Sequence, residues 1–214
     1  REAVLEDSRW RDRDRFRELR HAVLRFLYSR LRPGRDAREA AVDIFFMQRR
    51  SASIQRFYCF DRLTQVLAGP AHPHEHDAVR AMAMRELPAP ERAHLDRWLG
   101  HPAARLIVAR EDDSTLCGVL LVLRPDHIPD KDIASDPVIV ALRDAVGADL
   151  MASGGGGYNI IARMMFVAGG LAEPSPGQTA LFVHQLQYLT DPRMRFFVGF
   201  LQATDLLLNL VTHE

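Results

Sequence analysis

The chain has 214 residues, is 47% hydrophobic and 26% charged, and has a formal net charge of zero. That composition belongs to an ordinary globular protein and excludes long-range disorder as the main state. No apolar run reaches membrane-spanning length and no signal-peptide pattern appears, so the expectation is a cytoplasmic protein away from membranes. The first residue is Arg1 rather than Met, which leaves open a piece of a longer protein.

The zero conceals an asymmetry. Residues 1–50 hold 14 Arg against 9 Asp or Glu, a local charge of +5, so the remainder carries −5. Residues 8–31 read as an amphipathic helix, with Phe16, Leu19, Val23, Leu24, Leu27 and Leu31 at helical spacing. Its charges alternate in sign from Arg11 to Arg15, which suits a solvated helix better than a nucleic-acid arm. Trp10 and Phe16 are candidate anchors for a protein partner. Pro33 and Gly34 stop this helix, and Asp36 with Glu39 forms a capping-box pattern. A second helix is expected over 37–50, with Val42, Phe45 and Phe46 facing inward. Together they read as a helical hairpin, an Arg-rich extension over 1–53.

Segment 54–60 fits a strand by its aromatic content or a helix by its lack of turn signals. Segment 61–68 reads as helical up to Gly69-Pro70. Residues 71–77 form a His-rich loop, and helices follow over 77–87 and 91–99. A clear hairpin comes next, with strands at 105–110 and 116–123 around the turn cluster 111–115. A loop over 125–137, a short helix over 137–146 and a four-glycine run at 154–157 precede a strand at 160–167. Then come a helix over 179–189, a nearly all-apolar strand at 194–201 expected to be central, and a closing helix over 204–211. Cys59 and Cys117 each sit in an apolar stretch and are expected as buried free thiols.

The element order after residue 103 resembles the core of the GNAT-type N-acyltransferases. In that family an antiparallel meander leads to a strand, a turn and a helix that holds the pyrophosphate of CoA, and another strand follows. The resemblance covers about residues 103–214 and implies an α+β fold. A mixed, mostly antiparallel GNAT-like sheet flanked by helices would form the domain 54–214. It also implies an acyl-CoA cofactor, with Phe166 and Val167 ending the central strand and Gly177, Gln178, Thr179 and Ala180 opening the cofactor helix. A helix N-terminus suits a phosphate because its N–H groups are unpaired and its dipole is positive there. Glu173 is the candidate general base for an amine acceptor, and His184 and Tyr188 share a helix face as further candidates. Pro174 and Thr179 depart from the family's turn. That keeps open a second expectation, a GNAT-like module that has lost catalysis and binds a partner or ligand, and a third, an interaction domain of a larger protein.

Other motifs point to no chemistry. His72, His74 and His76 alternate like metal ligands, yet no distant Cys or His motif completes a zinc site, so a solvated loop is expected and no metal. Asp205 and His213 share the last helix, but no nucleophile elbow accompanies them. Ser153 before the glycines is not a phosphate-binding loop, since no Lys follows; that run reads as a mobile loop.

Overall fold

The apolar stretch Leu116–Leu123 is buried on both sides, and it is the middle strand of a five-stranded sheet in the computed structural model. The structure describes residues 11–31, 37–55, 57–60, 63–112, 114–152 and 156–199. Strands β1 (Val66–Pro70), β2 (Ala104–Glu111), β3 (Leu116–Leu123), β4 (Tyr158–Val167) and β5 (Met194–Gly199) lie side by side in chain order. The first four pair antiparallel, and β5 pairs parallel to β4. A parallel pair needs a crossover, and the helix Pro176–Leu189 supplies it. The protein is therefore an α+β fold with a mixed sheet flanked by helices.

Eight helices are described: α1 (Arg13–Arg30), α2 (Ala37–Met47), α3 (Ala52–Gln55), α4 (His76–Glu86), α5 (Ala89–Trp98), α6 (Asp130–Ile133), α7 (Pro137–Val146) and α8 (Pro176–Leu189). Local chemistry fixes their ends. The Asp12 carboxylate accepts from the Arg15 N–H at 3.0 Å ahead of α1. Ser175 caps α8 in the same way, with Pro176 at its first position.

Alternation along the strands sorts side chains into two cores. Val108, Val119, Leu121, Ile161 and Phe166 face α4, α5 and α7, whose Met82, Leu95, Trp98 and Ile139 are fully buried against them. Ile107, Leu120, Val122, Ile160 and Val167 face α8 through Ala180, Leu181 and Tyr188. Two glycines let α8 lie close to the sheet. A Cβ at Gly118 would sit 3.0 Å from Leu181 Cδ1, and one at Gly177 would sit 2.8 Å from the Cys117 carbonyl oxygen. On its outer side α8 carries α2 through an aromatic cluster, with Tyr58 and Phe182 ring centres 4.5 Å apart and Phe45 packed on both.

Several expectations need correction. The helix expected over 61–68 is a 3-10 turn, Leu63–Gln65, followed by β1. Val66 to Pro70 pair with Glu111 to Ile107, so hydrogen bonding to the free edge of β2 outweighs the local pattern. In segment 54–60, Ile54 and Gln55 are helical and the residues described after them, 57–60, form no strand. Helix α3 ends at Gln55, and Tyr58 and Phe60 instead stack on Phe45. Phe46 points outward at 50% exposure beneath the Arg49 guanidinium. The strand expected to be central, β5, has β4 as its one neighbour among the described residues, and Arg195 and Phe196 are exposed on it. The cysteines are free but only half-buried. The expected closing helix over 204–211, with Asp205 and His213, lies outside the described residues, as do Trp10, Asp36 and Ser153.

Candidate functional site

Helix α8 is the element to which sequence reading assigned most of the site, and its two ends differ. At the N-terminus the backbone donors are largely consumed. The Gln178 N–H donates to Ser175 Oγ at 3.1 Å, and the Thr179 N–H donates to the Ser175 carbonyl at 3.0 Å. Pro176 has no N–H to offer. The Thr179 hydroxyl donates to the Ser175 carbonyl at 2.9 Å and accepts from the Cys59 N–H at 2.8 Å. Thr179 is thus wholly buried, and Ala180 is buried beside it. Gly177 is buried against Cys117, so its missing side chain serves helix–strand packing. Phe166 and Val167 point into the two opposite cores. No Lys or Arg occurs between residues 164 and 192. Among the described residues this turn therefore does not fit a pyrophosphate, which needs free N–H donors or cations. Glu173 is exposed on the same turn.

The other end of α8 borders a cavity of about 1150 Å³. Its walls are the first residues of β2, the end of β3, the start of β4, the turn after α5 and the half of α8 from His184 onward. His184 and Tyr188, both expected from sequence, line it together. Their rings meet edge to face at 6.3 Å, and Gln187 Nε2 hydrogen-bonds His184 Nε2. The rise of an α-helix separates Gly177 from Tyr188 by about 16 Å, so the expected cofactor turn and these side chains belong to different places.

Tyr158, Arg105, Arg124, Asp191 and Arg193 join them in the polar lining, with His76, His101 and Thr190. The Tyr158 hydroxyl donates to Asp191 Oδ2 at 2.8 Å. Burial first, then that bond to a carboxylate, push the Tyr158 phenol up to about 12. The Arg193 guanidinium, with its Nη2 3.0 Å from Asp191 Oδ2, holds the Asp191 carboxyl down at about 2. Tyr188 is raised mainly by burial, against the opposing pull of Arg105 and of hydrogen bonds from Arg105 and Gln187. Both phenols are therefore neutral at pH 7. Arg124 stacks over the Tyr158 ring at 4.8 Å and forms a two-pronged bond to Asp126 at 2.9 and 2.6 Å. Arg193 is paired with Asp191 and Arg124 with Asp126, so Arg105, which meets no carboxylate among the described residues, gives the lining its surplus positive charge. Such a surface recognises acceptor-rich groups, carboxylates and phosphates above all.

A second polar group lies on the opposite face of the sheet. Arg163 is the extra residue of a bulge where β4 pairs with β3. Its Nε donates to Asp136 Oδ2 at 2.8 Å and its Nη1 to Glu91 Oε2 at 2.9 Å. The indole of Trp98 donates to the same Asp136 oxygen at 2.9 Å, while Asp136 Oδ1 caps α7 through the Val138 N–H. Burial drives the Asp136 carboxyl upward, but these donors overcome it and the group stays ionised. This is a structural knot that ties α5, α7 and β4 together.

The His-rich turn is built for structure as well. Glu75 accepts from the His72 N–H and pairs with Arg110 at 2.6 Å, and the His72 and His74 rings stack at 5.4 Å. Among the described residues no group of three or more His, Cys, Asp or Glu is placed to hold a metal. Sequence reading missed Tyr158, Arg105 and Asp191. Asp191 and Tyr158 lie 33 residues apart in sequence, and only the parallel pairing of β5 with β4 brings them together. No family model matches the chain, and no curated protein or solved structure is similar enough to count as a match.

Proposed function

We propose that this chain is a ligand-binding module on a GNAT-like scaffold, and that it binds a small, acceptor-rich anion at the C-terminal half of α8. The observation that carries this reading is the contrast between the two ends of α8. One end is closed by its own side chains, and the other opens on a large cavity lined by Arg105, Arg193, Tyr158 and Tyr188. The Tyr188 phenol and the guanidiniums act as donors to the bound anion, while the single hydroxyl hydrogen of Tyr158 is held by Asp191. The four named side chains bind and orient the anion.

A second reading, transfer of an acyl group from acyl-CoA to an amine, draws support from the edge of β4. Strand β5 pairs with residues 158–162 only, and no described strand pairs with 163–167 on that side. An extended acyl-pantetheine chain suits such an edge.

Thermal shift separates the two readings. With citrate as probe, the wild-type protein gains about 1.4 kcal/mol at ten times Kd, and Arg105→Ala or Tyr188→Phe removes most of the gain. Acetyl-CoA binding that survives Arg105→Ala, with no response to citrate, overturns the first reading in favour of the second.

A further inference from the structure

Helix α1 is thinly enclosed. Leu24 and Leu27 are its buried residues, and α2 is its main packing partner. A second apolar line runs along it. Phe16, Leu19, Val23 and Phe26 follow a 3-4-3 spacing and so share one face. Leu19 is 58% exposed, Val23 42% and Phe26 59%. Three large apolar side chains left in water on one helix face form a contiguous patch of the kind that marks a contact site.

The patch borders a groove of about 660 Å³ between the first half of α1 and residues 47–51. Phe16, Leu19 and Val23 form its apolar wall. Arg13, Arg17, Arg20, Arg49 and Arg50 form its charged lining, with no carboxylate among the described lining residues; Arg49 and Arg50 have further interactions of their own, which leaves Arg13, Arg17 and Arg20 of α1 as the cations offered to a ligand. Arg20 is fixed across the groove floor, donating to Gln48 Oε1 at 2.7 Å and to the Met47 carbonyl at 3.5 Å. Arg17 meets Asp14 at 3.4 Å, but both are exposed, so that pair does little to cancel the local field.

We infer that the α1 groove docks an acidic amphipathic helix of a partner protein, with the partner's apolar seam on Phe16, Leu19, Val23 and Phe26 and its carboxylates on the flanking arginines. The 3-4-3 spacing selects a helix as the occupant, because a partner helix repeats its own apolar residues at the same interval. The charge selects its sign. A second copy of α1 would set arginine against arginine, which disfavours self-pairing. The groove is concave and suits a rod better than a flat bilayer surface.

The test uses the full chain and two fluorescein-labelled 18-residue peptides. Both carry the same leucine seam at 3-4-3 spacing; one has Glu on its flanks and the other Lys. Fluorescence anisotropy is expected to show binding of the Glu peptide that weakens as salt rises. Phe26→Ser and Leu19→Ser weaken it by about tenfold or more each, and Arg17→Glu weakens it by a similar factor. These side chains are exposed, so the variants keep the wild-type melting temperature, which is measured alongside. Equal binding of both peptides, or of neither, overturns the inference. So does dimerisation in sedimentation that Phe26→Ser abolishes, which assigns the face to a second copy. Tighter binding to phosphatidylserine vesicles than to the Glu peptide also overturns it.

Discussion

Gly177→Ala puts the reason for a glycine at the start of α8 to a direct test. If Gly177 lets a phosphate approach the backbone, alanine disturbs ligand binding and leaves the free protein intact. If Gly177 lets α8 approach β3, alanine disturbs the free protein itself. The added Cβ would lie 2.8 Å from the Cys117 carbonyl oxygen, 3.1 Å from its Sγ and 3.2 Å from its carbonyl carbon. The oxygen belongs to the middle strand of the sheet and has little room to retreat. Overpacking of this kind costs about 1–3 kcal/mol, and contact with backbone favours the upper half of that range. Alanine recovers up to about 1 kcal/mol through helix propensity. The net expectation is a loss of about 1–2 kcal/mol, a fall in Tm of about 2–8 °C for a chain of this size. Cys117→Ala in the same background removes the Sγ contact but leaves the oxygen, so it restores only part of the loss. Differential scanning calorimetry without ligand measures both. An unchanged or raised Tm for Gly177→Ala refutes the packing account and returns the glycine to a ligand role.

Other expectations follow from the same geometry. Asp136→Ala leaves the Arg163 Nε and the Trp98 indole without their acceptor and uncaps α7, while Glu91 still holds Arg163 Nη1, so urea denaturation should report a loss of about 3 kcal/mol; the double variant Asp136→Leu/Arg163→Met costs less than the sum of Asp136→Leu and Arg163→Met, and strict additivity contradicts this coupling. The Arg110 bond holds Glu75 at about 2, below its ordinary 4.5. A lowered carboxyl stabilises the fold above its unfolded value and loses that contribution as pH falls toward the folded one. The urea midpoint therefore drops between about pH 4.5 and 2, and Glu75→Gln flattens that part of the profile. Tyr58 and Tyr158 are both raised to about 12, and Tyr188 is raised as well. A spectrophotometric titration should show about half of the tyrosine absorbance change, that of Tyr58 and Tyr158, arriving above pH 11, and Tyr158→Phe should remove part of that late step; full ionisation by pH 10.5 contradicts the burial argument.

The elements legible in the sequence are those whose local and global preferences agree. The 105–110 and 116–123 hairpin announced itself through β-rich runs around a turn cluster, and it forms with β2 and β3 at nearly those bounds. Strand β1 was hidden because Leu63–Pro70 lacks strand alternation; its hydrogen bonds come from β2, some forty residues away in sequence. Strand β5 read as central from apolarity alone, but apolarity does not reveal how many neighbours a strand has. At the site, the pairing of His184 with Tyr188 followed from a four-residue spacing. Tyr158 and Arg105 were not legible, because sheet register alone brings the start of β4 and the start of β2 to the same end of α8. The glycine of the expected phosphate turn was legible as a glycine but not in its reason, which is a contact with Cys117 across the sheet.

The proposed anion site lies at the C-terminal half of α8 and not at its N-terminus. Titration of the ¹⁵N-labelled chain with citrate, followed by amide chemical shifts, tests it most directly. The account predicts shifts clustered at Arg105–Ile107, Tyr158–Ile160 and His184–Arg193, saturating together, with Gly177–Ala180 unmoved. Shifts confined to Gly177–Ala180, with the cavity residues silent, would contradict it.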